Sequence, residues 1–189
     1  MQYLDLGARV LVGVIFATAL ISKLGAGNFR AFTVSTGALL PYRFYRHRRA
    51  LAIGYVVCEI LIVVMLTVPT ASPWGLALAA ATLLLLAAFI ARSMRSGDAV
   101  ACRCFGGASR TPLGRPHLAR NVALAALAAV AAAAAWPSGA GSELSLAPAV
   151  PVVGAALLLG VLVVRLDDLV VLLGPTARTA SSARSSHAG

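Results

Sequence analysis

Charge is scarce in this sequence, and acidic charge most of all. Charged residues fill 12% of the 189 positions, about half of the roughly 25% found in a soluble domain. That excludes an ordinary water-soluble globule and points to an integral membrane protein. Asp and Glu number 6 against 16 Lys and Arg, a net charge of +10. A soluble protein this basic would suggest a nucleic-acid partner. Here the basic residues sit between apolar runs, without interleaved aromatics or a soluble domain to carry them. Nucleic acid is therefore excluded, and the lipid bilayer with its anionic headgroups is the expected partner. Three cysteines are too few for a secreted disulfide framework. No Gly-rich turn with a following Lys-Ser/Thr is visible, so no nucleotide loop is expected. His47, His117 and His187 stand in loops or the tail, outside any Ser/His/Asp constellation. The N-terminus also lacks the positive start of a signal peptide. Ala17-Thr18-Ala19 resembles a cleavage site, but Met1-Gln2-Tyr3-Leu4-Asp5 is negative, which favours an uncleaved helix.

What the chain does have is long apolar runs. Helices are expected over about residues 4–21, 50–68, 74–91, 118–136 and 147–166. Each is about 18–20 residues, enough to span a hydrocarbon core of roughly 30 Å. The expected fold is an all-α polytopic membrane bundle, with a four-helix core plus a fifth transmembrane helix. Residues 1–173 form one membrane domain, and the Ser/Ala/Arg-rich stretch 174–189 reads as a disordered cytoplasmic tail. Residues 25–49 read as a polar loop with a basic end, Arg43 to Arg49, in which Leu39-Leu40-Pro41 is apolar enough to dip back toward the bilayer. Pro116 suits a first helical turn. Ala123 to Ala135 offers small residues for close helix packing. Apolar Leu169 to Leu173 reads as an interfacial turn after the fifth helix. The basic segments fall on one side if the N-terminus is outside and the C-terminus cytoplasmic. The expectation is a multi-pass protein of the plasma membrane, with loop 92–117 at the cytoplasmic face.

That loop holds Cys102-Arg103-Cys104-Phe105-Gly106-Gly107. Two thiols one residue apart close a small, strained disulfide ring, of the exchangeable kind. Arg103 between them, Arg95, Arg110 and Arg115 nearby, and the start of the fourth helix all favour thiolate. Gly106 and Gly107 would let the pair move or a partner approach. This is the profile of a redox-active dithiol. Competing readings are incidental or lipid-carrying cysteines, and a zinc or copper site from Cys102, Cys104 and His117 with Asp98. A structural disulfide also competes. The metal reading is opposed by the missing second ligand pair and by the five loop arginines. The structural disulfide is disfavoured at a reducing face.

Cys102-Arg-Cys104-Phe-Gly, Pro112-Leu-Gly114 and Arg120-Asn121 opening a helix together resemble the MauE family of methylamine-utilisation membrane proteins, within the DoxX-like group. Ser22-Lys23-Leu24, Leu40-Pro41 and Glu59 resemble the same pattern, and the likeness covers about residues 4 to 136. The resemblance implies a maturation factor for disulfide-containing extracytoplasmic proteins, in the family the methylamine dehydrogenase small subunit. The fifth helix and tail extend beyond the usual four-helix core.

Glu59 falls inside the second span, where an ionisable side chain needs a partner. Arg9, about two turns into the first helix, is the expected one, and Tyr55 shares its face. The group is either a structural Arg9–Glu59 pair or a proton acceptor serving thiol chemistry. A neutral Glu59 is a further option. Cys58 is either an inert small hydrophobe or a relay that carries electrons across. Lys23 reads as an interfacial anchor. The leading expectation is thiol–disulfide exchange through Cys102 and Cys104 with a thioredoxin-like partner. The alternative is a non-enzymatic assembly factor, or a transporter of a small solute or metal. No cofactor is evident. A quinone would suit a membrane thiol enzyme, but no residue argues for one.

Overall fold

A bilayer offers no water to backbone N–H and C=O groups, so a spanning segment must satisfy them internally. The computed structural model describes residues 2–39, 42–96, 115–136 and 146–173, and among them there is no strand. They form α1 (Gln2–Ser22), α2 (Ala26–Leu39), α3 (Arg48–Thr67), α4 (Ser72–Ser96), α5 (Arg115–Ala135) and α6 (Leu146–Leu173), with a 3₁₀ turn, Tyr42–His47, leading into α3. Among the described residues, five stretches are long and apolar enough to cross a membrane: Tyr3–Ser22, Tyr45–Thr67, Pro69–Arg95, Arg115–Ala135 and Ala147–Arg165. These are the five expected spans.

The exterior of the bundle is apolar. Val150 and Leu158 of α6, Leu85 of α4, Val64 of α3 and Val130 of α5 are all exposed, as lipid-facing residues must be. Hydroxyl groups are satisfied without water by bonding back along their own helices. Thr18 donates to Val14 O (2.9 Å), Thr33 to Phe29 O (2.9 Å) and Thr82 to Leu78 O (2.8 Å). At one end of the bundle the Trp74 and Trp136 rings meet at 4.4 Å between centroids, the kind of aromatic pair that sits at a membrane–water boundary.

Lipid tails are as apolar as leucine, so helices associate through close packing rather than through a hydrophobic drive. The α4–α5 pair is the most extensive contact. It sets Leu76, Ala79, Ala80 and Leu83 against Leu124, Ala125, Ala128, Ala131 and Ala132, all buried. The alanines recur every three or four residues and so line one helix face. α1 contributes Ala8, Leu11, Val12, Ile15 and Phe16 to the same core, and α6 packs along α1. At Gly160 of α6 a Cβ would stand 3.1 Å from Val14 Cγ1, so the two backbones approach as closely as glycine allows.

Two expectations are corrected. Residues 26–39 are not loop but helix α2. Phe29 and Phe32 lie one turn apart and pack beside Ala52, Leu86 and Ile90, which holds a segment too polar and too short to span. Gly25, with φ +96°, makes the break between α1 and α2, in a backbone region that L side chains avoid. Nor is Leu169 to Leu173 a separate turn, because α6 runs unbroken to Leu173. The expected tail, 174–189, lies outside the described residues.

The register along α3 defines the inner architecture. Gly13 packs on Leu66, Lys23 reaches Glu59, and Gly37 packs on Tyr45 and Arg48. Phe32 stands against Tyr55, with ring centroids 5.6 Å apart. α1 therefore runs antiparallel to α3 and ends beside its middle, about ten residues or 15 Å short of its start at 1.5 Å per residue. α2 then runs beside the first half of α3.

Ala128 is fully buried and Ala126 is exposed on the same helix. Ala128→Leu should destabilise the protein by about 1–3 kcal/mol through overpacking, and Ala126→Leu should be close to neutral. Thermal unfolding of both variants in detergent checks this. Equal midpoints would mean that α4 and α5 do not meet through their small faces.

Candidate functional site

An ammonium or carboxylate buried alone is costly, and the two become tolerable together when their remaining bonding capacity is also met. The structure brings one such pair together. Lys23, just past the end of α1, and Glu59, about three turns into α3, are 4% and 0% exposed. Lys23 Nζ donates to Glu59 Oε1 at 2.8 Å and to Ala19 O at 3.0 Å. The lysine stem thus folds back along α1 and carries its charge deeper than its own Cα. Two aromatic rings flank the ammonium, Phe32 of α2 at 5.0 Å and Tyr55 of α3 at 5.4 Å from their centroids, both within cation–π range. Glu59 Oε2 accepts no well-formed hydrogen bond among the described residues, although the Tyr55 hydroxyl is close enough to interact with the carboxylate.

Arg9 is not the partner of Glu59. α1 and α3 are antiparallel, so Arg9 meets the last turn of α3 rather than its middle. Its Nε and Nη2 donate to Leu66 O at 3.2 and 2.9 Å, one of the carbonyls that a helix C-terminus leaves without an internal donor. Its Nη1 stands 3.7 Å from Asp5 Oδ2. Lys23, in turn, is no interfacial anchor: it is the buried cation that Glu59 requires. The signal was present in the sequence as the Ser22-Lys23 ending of an apolar run, but position alone suggested the interface.

Cys58 is half-buried and carries a free thiol. Its Sγ lies 3.4 Å from Thr82 Oγ1. Thr82 gives its own proton to Leu78 O, so the thiol is the donor. This places Cys58 at the α3–α4 contact. Cys102, Arg103, Cys104 and Gly106 lie outside the described residues, between the end of α4 and the start of α5. The helix ends that border this segment expose Arg92, Arg95 and Arg115, and Arg46, His47 and Arg49 are exposed where α3 begins, at the same end of the bundle.

Sequence reasoning did not foresee that Arg120 and Asn121 would be buried near the start of α5, at 9% and 1% exposure. Arg120 Nη1 donates to Val163 O at 3.4 Å and ties α5 to α6. Asn121 Nδ2 donates to His117 O at 2.7 Å. The available signal was two adjacent polar residues just inside an apolar segment.

Five apolar spanning helices, a lipid-facing apolar exterior and charges paired inside the bundle define a multi-pass α-helical membrane protein. Residues 1–136 match the family of methylamine utilisation protein MauE, and the chain belongs to that family. The match takes in α1 to α5; α6 lies beyond it. No curated protein and no solved structure matches the chain.

Breaking the pair from one side leaves a buried charge without its counter-charge. Lys23→Met and Glu59→Leu should each cost roughly 3–5 kcal/mol, and the double variant should be less destabilised than either single one. Arg9→Met combined with Glu59→Leu should instead be additive within about 0.5 kcal/mol. A double-mutant cycle on thermal stability checks both, and strong Arg9–Glu59 coupling would contradict the assigned pairing.

Proposed function

We propose that this membrane protein exchanges thiols and disulfides through Cys102 and Cys104, in support of disulfide-containing proteins that mature outside the cytoplasm. The observation that carries the reading is the Cys102-Arg103-Cys104 pair within the region matched by the MauE family. Further support comes from the arginines that border the pair. Arg92 and Arg95 end α4 and Arg115 opens α5, and nearby cations favour the thiolate form of cysteine.

The exchange needs only a partner disulfide or dithiol, of the thioredoxin-like class. The thiolate of one cysteine attacks a sulfur of the partner disulfide, forming a mixed disulfide and releasing one partner thiolate. The second cysteine attacks the mixed disulfide, forms the Cys102–Cys104 bond and releases the reduced partner. The reverse sequence oxidises the partner. The small ring that closes makes this disulfide readily exchanged.

In the proposed placement the protein lies in the plasma membrane with its N-terminus outside and its C-terminus cytoplasmic, following the basic end of the bundle. The cysteine segment then faces a cytoplasmic thioredoxin-like donor. The acceptor is a wrongly paired disulfide of an extracytoplasmic protein such as the methylamine dehydrogenase small subunit, which the electrons reduce to two thiols that can pair again. Cys58, mid-span on α3, is the proposed intermediate stop between the two faces; as a single thiol it would relay only by forming a disulfide with one cysteine of the pair and yielding that bond to a thiol of the next partner.

Cys102→Ser or Cys104→Ser should leave one thiol to trap a mixed disulfide with a thioredoxin-like protein. It appears as a larger band on non-reducing gels and is lost on reduction. Cys58→Ser should slow transfer across the membrane without preventing the trap, and a reporter fused at Gly189 should read as cytoplasmic. If neither Cys102 nor Cys104 is ever oxidised or trapped, the protein is instead a non-enzymatic assembly factor or a transporter.

A further inference from the structure

The Lys23–Glu59 pair is only half closed. Oε1 carries the ion pair, whereas Oε2 is fully buried and accepts no well-formed hydrogen bond among the described residues, the Tyr55 hydroxyl being the group near enough to act on the carboxylate. In a medium without water, a carboxylate with one unmet oxygen has one alternative state, the neutral acid, and reaching it frees the lysine from its counter-charge. Its partner has an alternative as well. A lysine stem can swing its ammonium toward a polar face, and Lys23 stands two residues before Gly25, whose φ of +96° makes the corner between α1 and α2. The aromatic rings that flank the ammonium belong to α2 and α3, so its departure removes a contact that holds α2 in place.

We propose that Glu59 is a proton-binding site within the membrane, and that its occupancy sets whether α2 is latched to α3. With Glu59 ionised, Lys23 is held between Oε1, Ala19 O and the rings of Phe32 and Tyr55, and α2 is closed over the pair. A proton taken from water at the basic end converts Glu59 to the neutral acid. The site then carries one positive charge, on Lys23, which has lost its counter-ion and turns outward. α2 loosens with it, pivoting at Gly25.

Among the described residues, Lys23, just past the end of α1, and Tyr55 on α3 are the ionisable groups that act on Glu59. Cys58, next along α3, acts on Tyr55 and turns its thiol to uncharged Thr82 on α4. α2 presents Phe32, which does not titrate, and Arg9 and Asp5 are engaged with each other near the far end of α1. The latch makes no use of Cys102 or Cys104, so it stands or falls separately from the thiol chemistry.

The sequence contains two glutamates, Glu59 and Glu143. In full-length Glu143→Gln protein with isotope-labelled glutamate, Glu59 is the one labelled carboxyl, and infrared difference spectra read its protonation directly. On acidification, within the range where the fold is kept, a labelled carboxylic-acid band should appear and should reverse. Amide hydrogen exchange in residues 26–39, taken relative to residues 72–96 to remove the intrinsic pH effect, should rise by roughly tenfold with the same midpoint, the factor to which 1.4 kcal/mol corresponds. Glu59→Gln should show fast, pH-independent exchange in 26–39. Cys102→Ser with Cys104→Ser should leave both readouts unchanged. Absence of the acid band overturns the proposal, and so does a band without the matching change in α2. Both measurements are made on protein that retains Glu59, so the outcome is decided even if Glu59→Gln does not fold.

Discussion

The half of the bundle around the start of α3 depends on one ion pair in a place without water. Glu59 is fully buried and Lys23 nearly so, and either charge alone would be costly inside a bilayer. Their 2.8 Å contact therefore does more than link two side chains. It fixes how far α1 descends along α3, because Lys23 must end where Glu59 stands. That position leaves the first half of α3 uncovered by α1. α2 fills the place, and its Phe32 ring completes the surroundings of the ammonium. Pair, corner at Gly25 and short helix are thus one unit.

The opposite half of the bundle, around the end of α3, follows a different rule. There the helices meet through small residues rather than charges, with the alanines of α5 set against α4 and Gly160 of α6 against Val14. Close backbone approach supplies the dispersion contacts that replace hydrophobic association in lipid. Among the described residues at that end, Arg9, with Asp5 beside it, donates to the carbonyl of Leu66. It closes the end of α3 and leaves the interior apolar. Small faces tolerate no added volume, whereas a lysine stem over a hinge has alternatives.

The spans were legible in the sequence because a bilayer imposes length and hydropathy directly. Glu59 was legible as a residue in need of a cation, for the same reason. Its partner was not. Arg9 and Lys23 both lie on the first helix, and choosing between them requires the antiparallel register with α3, which is a tertiary fact. Lys23 looked superficial because its Cα is at a helix end, but a flexible stem places charge up to several ångströms from its Cα. α2 escaped because its hydroxyls and Arg30 make it look like loop. Its helix rests on two phenylalanines and on side-chain hydroxyls that turn back to their own backbone. The dithiol motif was legible as chemistry, and it stands between the described ends of α4 and α5.

The basic end of the bundle is also where the proposed chemistry and the latch converge in the topology. The segment bearing Cys102 and Cys104 joins α4 to α5 at that end. α2 packs against α3 and touches α4, and its Phe32 shares a cluster with Leu86 and Ile90 in the second half of α4. A movement of α2 would therefore be felt first by the part of α4 that leads into the cysteine segment. Thiolate formation releases a proton and thiol formation consumes one. A carboxylate that exchanges a proton with the same face would sense the same local acidity. No contact between Glu59 and the cysteines is required for this. One helix, α4, borders both, and its packing against α2 depends on whether Lys23 still has its counter-ion.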